Sequence, residues 1–497
     1  MAEIHGTLNR LIKYGLENEL IVDYDEIWVR NELMDLFHLT EWKEMPISAC
    51  MMPKYPQSIL DTLCDYAVEQ GIIEDTAGNR ELFDTKIMGK LTPSPSQVID
   101  RFRATSEFSK EVATQKFYEF SQKTNYIRMD RIAKNVYWQV PTEYGNLEIT
   151  INLSKPEKDP RDIERQKNLP SSSYPQCLLC YENVGYAGRG NHPARQNHRV
   201  LPFILEEEKW YLQYSPYVYY NEHAIVFSRE HRPMKISRGS FARITAFLEQ
   251  VPHYFLGSNA DLPIVGGSIL SHDHYQGGNH EFPMAKAEIE EEIVFQGFEK
   301  VKAGIVKWPM SVLRISSPNR EAIINLSDKI LRTWREYSDE ECGIFAYTGE
   351  EAHNTITPIG RRRGENFEMD LVLRNNRRSE EHPLGIFHPH KEYHNIKKEN
   401  IGLIEVMGLA VLPGRLKEEL EIIRGYLKEE SYLEKIKADE RVIKHYDWIA
   451  SFPNAEIDLE KEVGIVFSHV LEDAGVYKRT EEGRKGLLRF VEAVNEN

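Results

Sequence analysis

The 497-residue sequence predicts an α+β fold, with a helical N-terminal region followed by two related antiparallel β-sheet modules and their flanking helices. Residues 1 to about 134 show the spacing of apolar side chains that is typical of amphipathic helices. From residue 135 onward, stretches rich in β-branched and aromatic residues take over, in two successive passes along the chain. We therefore expect three regions, at 1–134, 135–300 and 301–497.

The N-terminal region contains two proline-bearing stretches, MPKYPQS and LTPSPSQ, which predict turns between helices. This region contains no motif of catalytic chemistry. The segment that follows it, NVYWQVPTEYGNLEITINL, predicts a β-hairpin that turns around residues 143–146. The polar stretch SKPEKDPRDIERQKNLPSSSYPQ then predicts a loop.

The two passes of strand-like sequence resemble each other in order. The first pass contains the strand-like WYLQYSPYVYYNEHAIVFSREH and the helical GSFARITAFLEQVPHYF. The second pass contains the strand-like GIVKWPMSVLRISS and FEMDLVLRNN, followed by helical residues from about 398. His388-Pro-His390 lies 116 residues after His272-Asp-His274, and strand-like sequence precedes each pair. An internal duplication that aligns these pairs is one hypothesis.

The composition restricts the class of protein. A hydrophobic fraction of 41% is that of a globular protein, and 497 residues exceed one ordinary core. We find neither an apolar run that could span a bilayer nor a signal peptide, so we expect a soluble, cytoplasmic protein without a membrane partner. The net charge of −16 argues against a nucleic-acid partner, and five cysteines are too few and too odd in number for a disulfide framework.

The stretch VGGSILSHDHYQGG, residues 265–278, places two histidines and a glutamine at a spacing of two. In an extended segment, His272, His274 and Gln276 project from the same face. An imidazole attacks phosphorus well at neutral pH, and the phosphoramidate that it forms passes the group on readily. The glycines allow backbone amides to approach phosphate oxygens. A polar strand end between glycine turns is the alternative explanation.

Cys177 and Cys180 form a CxxC, which supplies half of a tetrahedral zinc site. His231 and His272 are candidates for the other two ligands because each lies at the edge of a strand-like run. Four protein ligands leave no open position, so such a zinc would be structural. Two small buried core cysteines explain the CxxC equally well, and His231 alone is more often a solvated or core histidine.

The run DLPIVGGSILSHDHYQGG closely resembles the signature of the class II galactose-1-phosphate uridylyltransferases, which are related to the histidine-triad superfamily. The similarity extends to the helical N-terminal region and to two further stretches, YPQCLLCYENVGYAGRGNHPARQNHR and EHPLGIFHPHKEYHNIKKENIGLIEVMGLAVLP. The family transfers UMP from UDP-glucose to galactose 1-phosphate through a uridylyl-histidine. The resemblance therefore implies a histidine-triad-like fold and these two small-molecule substrates, with no organic cofactor and with a homodimer as a candidate assembly.

The resemblance also implies roles for single residues. His274 takes the nucleophile position and Gln276 the phosphate-contacting position, while Gly266, Gly267 and Ser268 match the phosphate loop. Glu405 resembles a sugar-contacting glutamate, and a paired buried charge is the alternative. By similarity with class I enzymes, the CxxC, His231 and His272 match zinc ligands. His388 and His390 match a second histidine pair that helps to bind a further ion there, and we expect them to bind substrate here. This sequence has Asp273 where class I has proline. Reduced or absent metal binding in class II is therefore the alternative to a zinc site.

The phosphates of these substrates need positive partners, and arginine is suited to bidentate phosphate contacts. The candidates lie in two clusters, one in a glycine-bearing loop and one at the end of a predicted strand: Arg189, Arg195 and Arg199, and Arg361, Arg362 and Arg363. A solvated loop is the alternative for both clusters.

Two other functions compete with the uridylyltransferase. A histidine-triad nucleotide-sugar phosphorylase or nucleoside-phosphate hydrolase would share the HxHxQ pattern but release a free nucleotide. A non-enzymatic, zinc-stabilised binding module would need the CxxC and not His274.

Overall fold

The computed structural model describes residues 2–47, 52–153, 172–267 and 269–496. Helices fill the N-terminal region, as the sequence predicts. They are α1 to α7, at Ala2–Glu17, Glu26–Leu36, Gln57–Glu69, Ala77–Leu91, Pro95–Ser106, Lys110–Lys123 and Met129–Ile132. The polar loop predicted between the hairpin and the CxxC falls largely at 154–171, outside the described residues.

The stretch LTPSPSQ is the junction between α4 and α5. Ser94 caps α5, since its hydroxyl oxygen accepts from the amide of Gln97 and the side chain of Gln97 accepts from the amide of Ser94. Pro95 occupies the first helical position, where a missing N–H costs nothing. Residues such as Leu8, Leu60 and Ile87 form a hydrophobic core of this region's own.

The chain from residue 136 forms strands in the stretches that the sequence predicts and also in stretches that it did not single out, such as Leu201–Leu205 and Asn354–Arg363. They are β1 to β15, at Val136–Thr142, Gly145–Ile151, Leu201–Leu205, Glu208–Tyr214, Ala224–Ser228, Phe255–Gly257, His274–Gly278, Ile289–Ile293, Lys302–Val306, Val312–Ser317, Tyr347–Thr348, Glu351–Ala352, Asn354–Arg363, Asn366–Asn375 and Leu409–Leu412. The helices among and after them are α8 to α16, at Arg238–Gln250, Pro283–Lys286, Arg320–Glu336, Leu403–Val406, Arg415–Tyr426, Tyr432–Ala438, Tyr446–Ala450, Leu459–Ala474 and Glu481–Glu496.

Ten strands of the described chain form one antiparallel sheet in the order β3-β4-β5-β7-β6-β13-β14-β10-β9-β8. Each half has three strands, then a helix (α8 or α10), then two strands that complete its side of the sheet. The halves meet where Gly257 of β6 pairs with Ile359 of β13. The two related modules are therefore present, and they share a continuous sheet.

The sheet topology corrects the proposed alignment of the two histidine pairs. In the second half, β14 takes the place that β7 takes in the first. His274 begins β7, whereas His388 follows the end of β14 and lies on none of the sheet's strands. The alignment at 116 residues is therefore wrong, because the two pairs occupy different places in the repeated unit.

The two faces of the large sheet have different coverings. Helices α8 and α10 lie on one face, over a core that includes Ile244, Phe247 and Leu371. A smaller sheet, β1-β2-β15, and helix α15 belong to a second core that includes Val312 and Val372 from the opposite face. The predicted hairpin is confirmed by the pairing of Thr142 with Gly145, whereas the parallel pairing of β15 with β2 was not predicted.

The three regional boundaries stay a prediction. None of the described helices combines the length and the apolar character that a membrane crossing requires.

Candidate active site

The HxHxQ segment crosses the middle of the first half-sheet. His274 opens β7 and pairs with Phe227 of β5. Asp273 and Tyr275 project from the face covered by α8, where the Asp273 carboxylate lies 3.3 Å from Arg232 Nε and the Tyr275 hydroxyl accepts from Arg243 of α8 at 2.9 Å. The strand alternation therefore turns His274 and Gln276 to the other face. His272 lies in the bend before β7, and its ring contacts that of Phe227, the partner of His274, with ring centres 6.0 Å apart.

His274 is held as a neutral imidazole whose Nε2 makes no hydrogen bond to the described residues. Its Nδ1 lies 2.7 Å from the backbone oxygen of His272, and because a carbonyl only accepts, Nδ1 carries the proton. The side chain is 6% exposed, and burial lowers its pKa to about 4. The lone pair of Nε2 is therefore available for attack on an electrophile without a separate base.

Gln276 lies two residues along the same strand face. Its Oε1 is 3.3 Å from Nε2 of His223, which immediately precedes β5. The amide nitrogen of Gln276 is therefore directed away from His223. A neutral amide donor beside a phosphate-attacking imidazole can follow charge onto phosphate oxygens.

The CxxC and two histidines converge on one point. The side chains of Cys177, Cys180, His231 and His272 each offer a ligand atom, and these atoms all lie within 4.8 Å of one another. The sulfur atoms are 3.6 Å apart, Cys177 Sγ is 3.2 Å from His272 Nδ1, and Cys180 Sγ is 3.2 Å from His231 Nδ1. Tetrahedral zinc with bonds of about 2.3 Å to sulfur and about 2.0 Å to nitrogen requires ligand separations of roughly 3.4 to 3.8 Å.

The donor set therefore fits a metal of the zinc type. His272 Nε2 donates to the backbone oxygen of Ser228 at 2.9 Å, which leaves Nδ1 as the ligand atom. The structure thus brings together the four residues that the sequence suggested. If Cys177 and Cys180 were only small core residues, nothing would require two histidine nitrogens 3.2 Å from their sulfur atoms.

The glycine-rich loop before His272 is tightly packed. A Cβ at Gly266 would lie 2.5 Å from the backbone oxygen of Ala260, and one at Gly267 would lie 2.6 Å from the Asn259 side chain. A side chain at Gly266 would therefore collide with backbone, whereas one at Gly267 would displace the Asn259 side chain. Asn259 Oδ1 also accepts from the amide of Leu403 at 2.9 Å, so the loop is tied to helix α11. Ser268 lies outside the described residues.

Glu405, on α11, is paired within the protein. Its Oε1 lies 2.8 Å from Nζ of Lys397, which is 3% exposed, and its Oε2 accepts from the amide of Gly402 at 3.0 Å. This pairing accounts for a buried carboxylate without a ligand. Its contact with a sugar stays a prediction, although the link from Asn259 to Leu403 brings α11 to the glycine-rich loop.

His388 and His390 occupy a loop on the same side. A Cβ at Gly385 would lie 3.0 Å from both His388 Cβ and Ile264 Cγ2, so this loop packs against the glycine-rich loop. His388 Nε2 lies 3.1 Å from Asn400 Oδ1, and His390 Nδ1 lies 3.3 Å from an Asp473 carboxylate oxygen. Contacts of His388 and His390 with a substrate stay a prediction.

The three arginines of the loop 185–199 bond mainly to that loop and its neighbours. Arg189 donates to the Tyr186 hydroxyl at 2.7 Å, and the Arg195 guanidinium lies 5.4 Å from the ring centre of Tyr126. Arg199 is buried and donates to four backbone oxygens, those of Thr92, Pro93, Gln196 and His198. For Arg199 this geometry favours a structural role.

Arg361 is separated from His274. It pairs with Phe255, which pairs with Gly278 at the far end of β7 from His274. Its guanidinium forms ion pairs at 2.6 Å with Glu368 and with Asp370. Arg361, Arg362 and Arg363 line a cleft of about 340 Å³ at that end of the sheet. The structure therefore does not bring Arg361 to His274.

Comparison with known proteins identifies the family of this chain. Residues 21–233 match the family model for the N-terminal domain of galactose-1-phosphate uridyl transferase, and residues 247–449 match the model for its C-terminal domain. The chain belongs to the galactose-1-phosphate uridylyltransferase family. The family resemblance in the sequence is thereby confirmed.

Relatives of this uridylyltransferase family member match it over nearly the full length. The galactose-1-phosphate uridylyltransferase of Fusobacterium nucleatum subsp. nucleatum is 61% identical over 98% of both chains. Those of Halalkalibacterium halodurans and Bacillus subtilis are 54% and 50% identical, over 98% of this chain and 98% and 96% of theirs. A solved structure, of yeast Ap4A phosphorylase, covers 64% of this chain and 91% of that one at 12% identity and a TM-score of 0.29, too low to support a statement about the fold.

Sequence reasoning missed two residues that contact the candidate site of this uridylyltransferase family member. His223 bonds to Gln276, and Asn259 joins the glycine-rich loop to α11. His223 stands in the strand-like segment YYNEHAIVFS, but the pairing of β5 with β7 that brings it to Gln276 depends on strand register. Asn259, in GSNADLP, carried no distinguishing pattern in the sequence.

Proposed function

We propose that this protein transfers UMP from UDP-glucose to galactose 1-phosphate through a uridylyl-His274 intermediate. The observation that carries the proposal is the buried imidazole of His274, whose Nδ1 bonds to the His272 backbone oxygen while its Nε2 bonds to no residue that the structure describes. Membership of the galactose-1-phosphate uridylyltransferase family supports the choice of substrates.

In the first step, Nε2 of His274 forms a bond to the α-phosphorus of UDP-glucose. The bond from that phosphorus to the bridging oxygen breaks, and glucose 1-phosphate leaves with the electron pair. In the second step, a phosphate oxygen of galactose 1-phosphate attacks the uridylyl phosphorus, the P–N bond breaks, and UDP-galactose leaves. Gln276 donates to phosphate oxygens in both steps, since the amide stands beside the nucleophile on the same strand face.

Water is a competitor in the second step. Asp273 is the carboxylate nearest to His274 in sequence, but it projects from the opposite face, where Arg232 and Arg243 neutralise it. It is therefore not available as a base for water. We propose that hydrolysis of the intermediate is slow for this reason, which separates the transferase from a nucleoside-phosphate hydrolase.

Cys177, Cys180, His231 and His272 would hold a zinc ion, and we propose that its role is structural. All four ligand positions come from the protein, so the metal would stabilise the fold and orient His272. Because His272 supplies the carbonyl that holds His274, the metal site and the nucleophile share one short segment.

The test is to incubate the protein with UDP-glucose labelled in the α-phosphate and to isolate the polypeptide. We expect acid-labile, base-stable label that galactose 1-phosphate removes as labelled UDP-galactose, and parallel lines in double-reciprocal plots of initial rate. Rapid release of free UMP in buffer, unchanged by galactose 1-phosphate, would support the hydrolase instead. An unlabelled polypeptide that only binds metal would support the binding module.

A further inference from the structure

His223 is placed to control the orientation of the Gln276 amide. It immediately precedes β5, and its Nε2 lies 3.3 Å from Gln276 Oε1. The side chain is 3% exposed, and its ring centre lies 4.4 Å from that of Tyr220 and 5.4 Å from that of Tyr219. The ring is therefore held in place by its aromatic neighbours.

The bond to Gln276 is the only hydrogen bond that the His223 side chain makes within the described part of the chain, and Nδ1 has no partner there. Burial lowers the pKa of His223 to about 4, so the ring is neutral and has one N–H to donate. Burying an imidazole with one nitrogen unpaired costs free energy, whereas a phenylalanine would fill the same space without that cost. Because the one hydrogen bond of this ring within the described residues goes to Gln276, any effect of the imidazole beyond packing acts on Gln276.

A glutamine amide has two orientations related by a half-turn, which exchange its oxygen and its nitrogen. Only one of them directs the NH₂ group at a phosphate. In the other orientation, a carbonyl oxygen faces the anionic oxygens and repels them. A donor that bonds to Oε1 selects the first orientation before the substrate arrives, and preorganised donors stabilise developing charge better than donors that must reorient.

We propose that His223 is a positioning residue, whose Nε2–H bonds to Gln276 Oε1 and thereby holds the Gln276 NH₂ group toward the phosphate that His274 attacks. This inference rests on the proposed uridylyl transfer. His223 acts only through Gln276 and does not contact the substrate.

The test compares variants that keep or remove the donor. His223→Phe keeps a flat ring between the tyrosines but has no N–H, and we expect it to slow single-turnover uridylylation about 10- to 100-fold, somewhat less than the loss of an oxyanion donor outright. His223→Gln retains an N–H donor near the position of Nε2 and should restore most of the rate. The side chain in His223→Asn is too short to reach Gln276, so this variant should react as slowly as His223→Phe. If His223→Phe does not fold, the rates of the Asn and Gln variants provide the same test.

A matched control is available in His253. Its Nε2 lies 3.0 Å from Thr114 Oγ1, and its Nδ1 has no partner among the described residues, which is the same bonding pattern as in His223. His253→Phe should change thermal stability without slowing uridylylation. If it slows the reaction as much as His223→Phe does, the effect of His223 is a general packing effect and the proposal is wrong.

The decisive measurement is a double-mutant cycle. In a Gln276→Ala background, His223→Phe should produce no further loss of rate, because the amide that His223 orients is absent. Rate losses that multiply would overturn the positioning role. If wild type is labelled by UDP-glucose but the His223 variants react like wild type, the inference fails and the proposed function stands. An unlabelled wild-type protein would overturn both.

Discussion

Replacement of His274 should abolish transfer while the protein stays folded. His272, its neighbour on the strand face, cannot take over as nucleophile, because Nε2 bonds to the Ser228 backbone oxygen at 2.9 Å and Nδ1 lies 3.2 Å from Cys177 Sγ. The loss in turnover for His274→Ala should therefore be about 10⁴-fold or more, as for other enzymes that lose their nucleophile.

The cost in stability should be much smaller. The substitution removes the 2.7 Å hydrogen bond and leaves the buried His272 carbonyl unpaired, which costs about 1–3 kcal/mol. The space left by the imidazole adds a cavity cost of about the same size. A loss of about 2–5 kcal/mol in the free energy of unfolding is therefore expected, which urea denaturation followed by circular dichroism would measure.

The assay is the exchange of labelled glucose 1-phosphate into UDP-glucose, measured beside the stability of each variant. Asp273→Asn is the matched control, since Asp273 immediately precedes β7 and its side chain lies on the opposite face, against Arg232, so exchange should stay close to wild type. His274→Gly with added imidazole, or supplied with UMP-imidazolide, should regain part of the transfer. Near-normal exchange by folded His274→Ala would refute the reasoning.

Three other outcomes are expected. Cys177→Ser should lower metal content and thermal stability together, and less than about 0.1 equivalent of transition metal in active wild type would exclude a structural metal. Arg199→Met should lower thermal stability without raising the KM for UDP-glucose, because its guanidinium bonds to backbone oxygens; a raised KM at unchanged stability would restore a substrate role. Burial opposes ionisation of Glu419, but hydrogen bonds from His445 and Lys444 outweigh it and lower the pKa of the carboxyl group from 4.5 to about 2. The ionised carboxylate therefore stabilises the fold above pH 4.5, and this contribution is lost as the pH falls toward 2. The stability gap between wild type and Glu419→Gln, measured by urea titration, should narrow over that window, and a constant gap would contradict the assignment.

Local patterns predicted much of the fold because they depend on neighbours in sequence. Helical spacing identified the N-terminal region, and the turn residues between Thr142 and Gly145 identified the hairpin. The joining of the two modules into one sheet was not predictable in this way. It depends on the pairing of Gly257 with Ile359, residues about a hundred positions apart, and periodicity carries no information about such pairs.

The arginines show where residue type alone misled. Clustered arginines suggest phosphate contacts whether their side chains meet a ligand or a neighbouring part of the protein. Arg361 forms ion pairs with Glu368 and Asp370. Arg199 donates to backbone oxygens, one of them in the junction between α4 and α5. These partners become visible only when the chain is folded, because they come from other strands and loops.

The sequence by itself determined the face shared by His274 and Gln276, since side chains alternate along any extended strand. Its family signature determined the chemistry to expect there. The tertiary structure alone decided that Cys177 and His272, 95 residues apart, lie 3.2 Å from each other, and that His223 bonds to Gln276. Such contacts depend on strand register and loop closure, which arise from the packing of the whole chain and from no local run of residues.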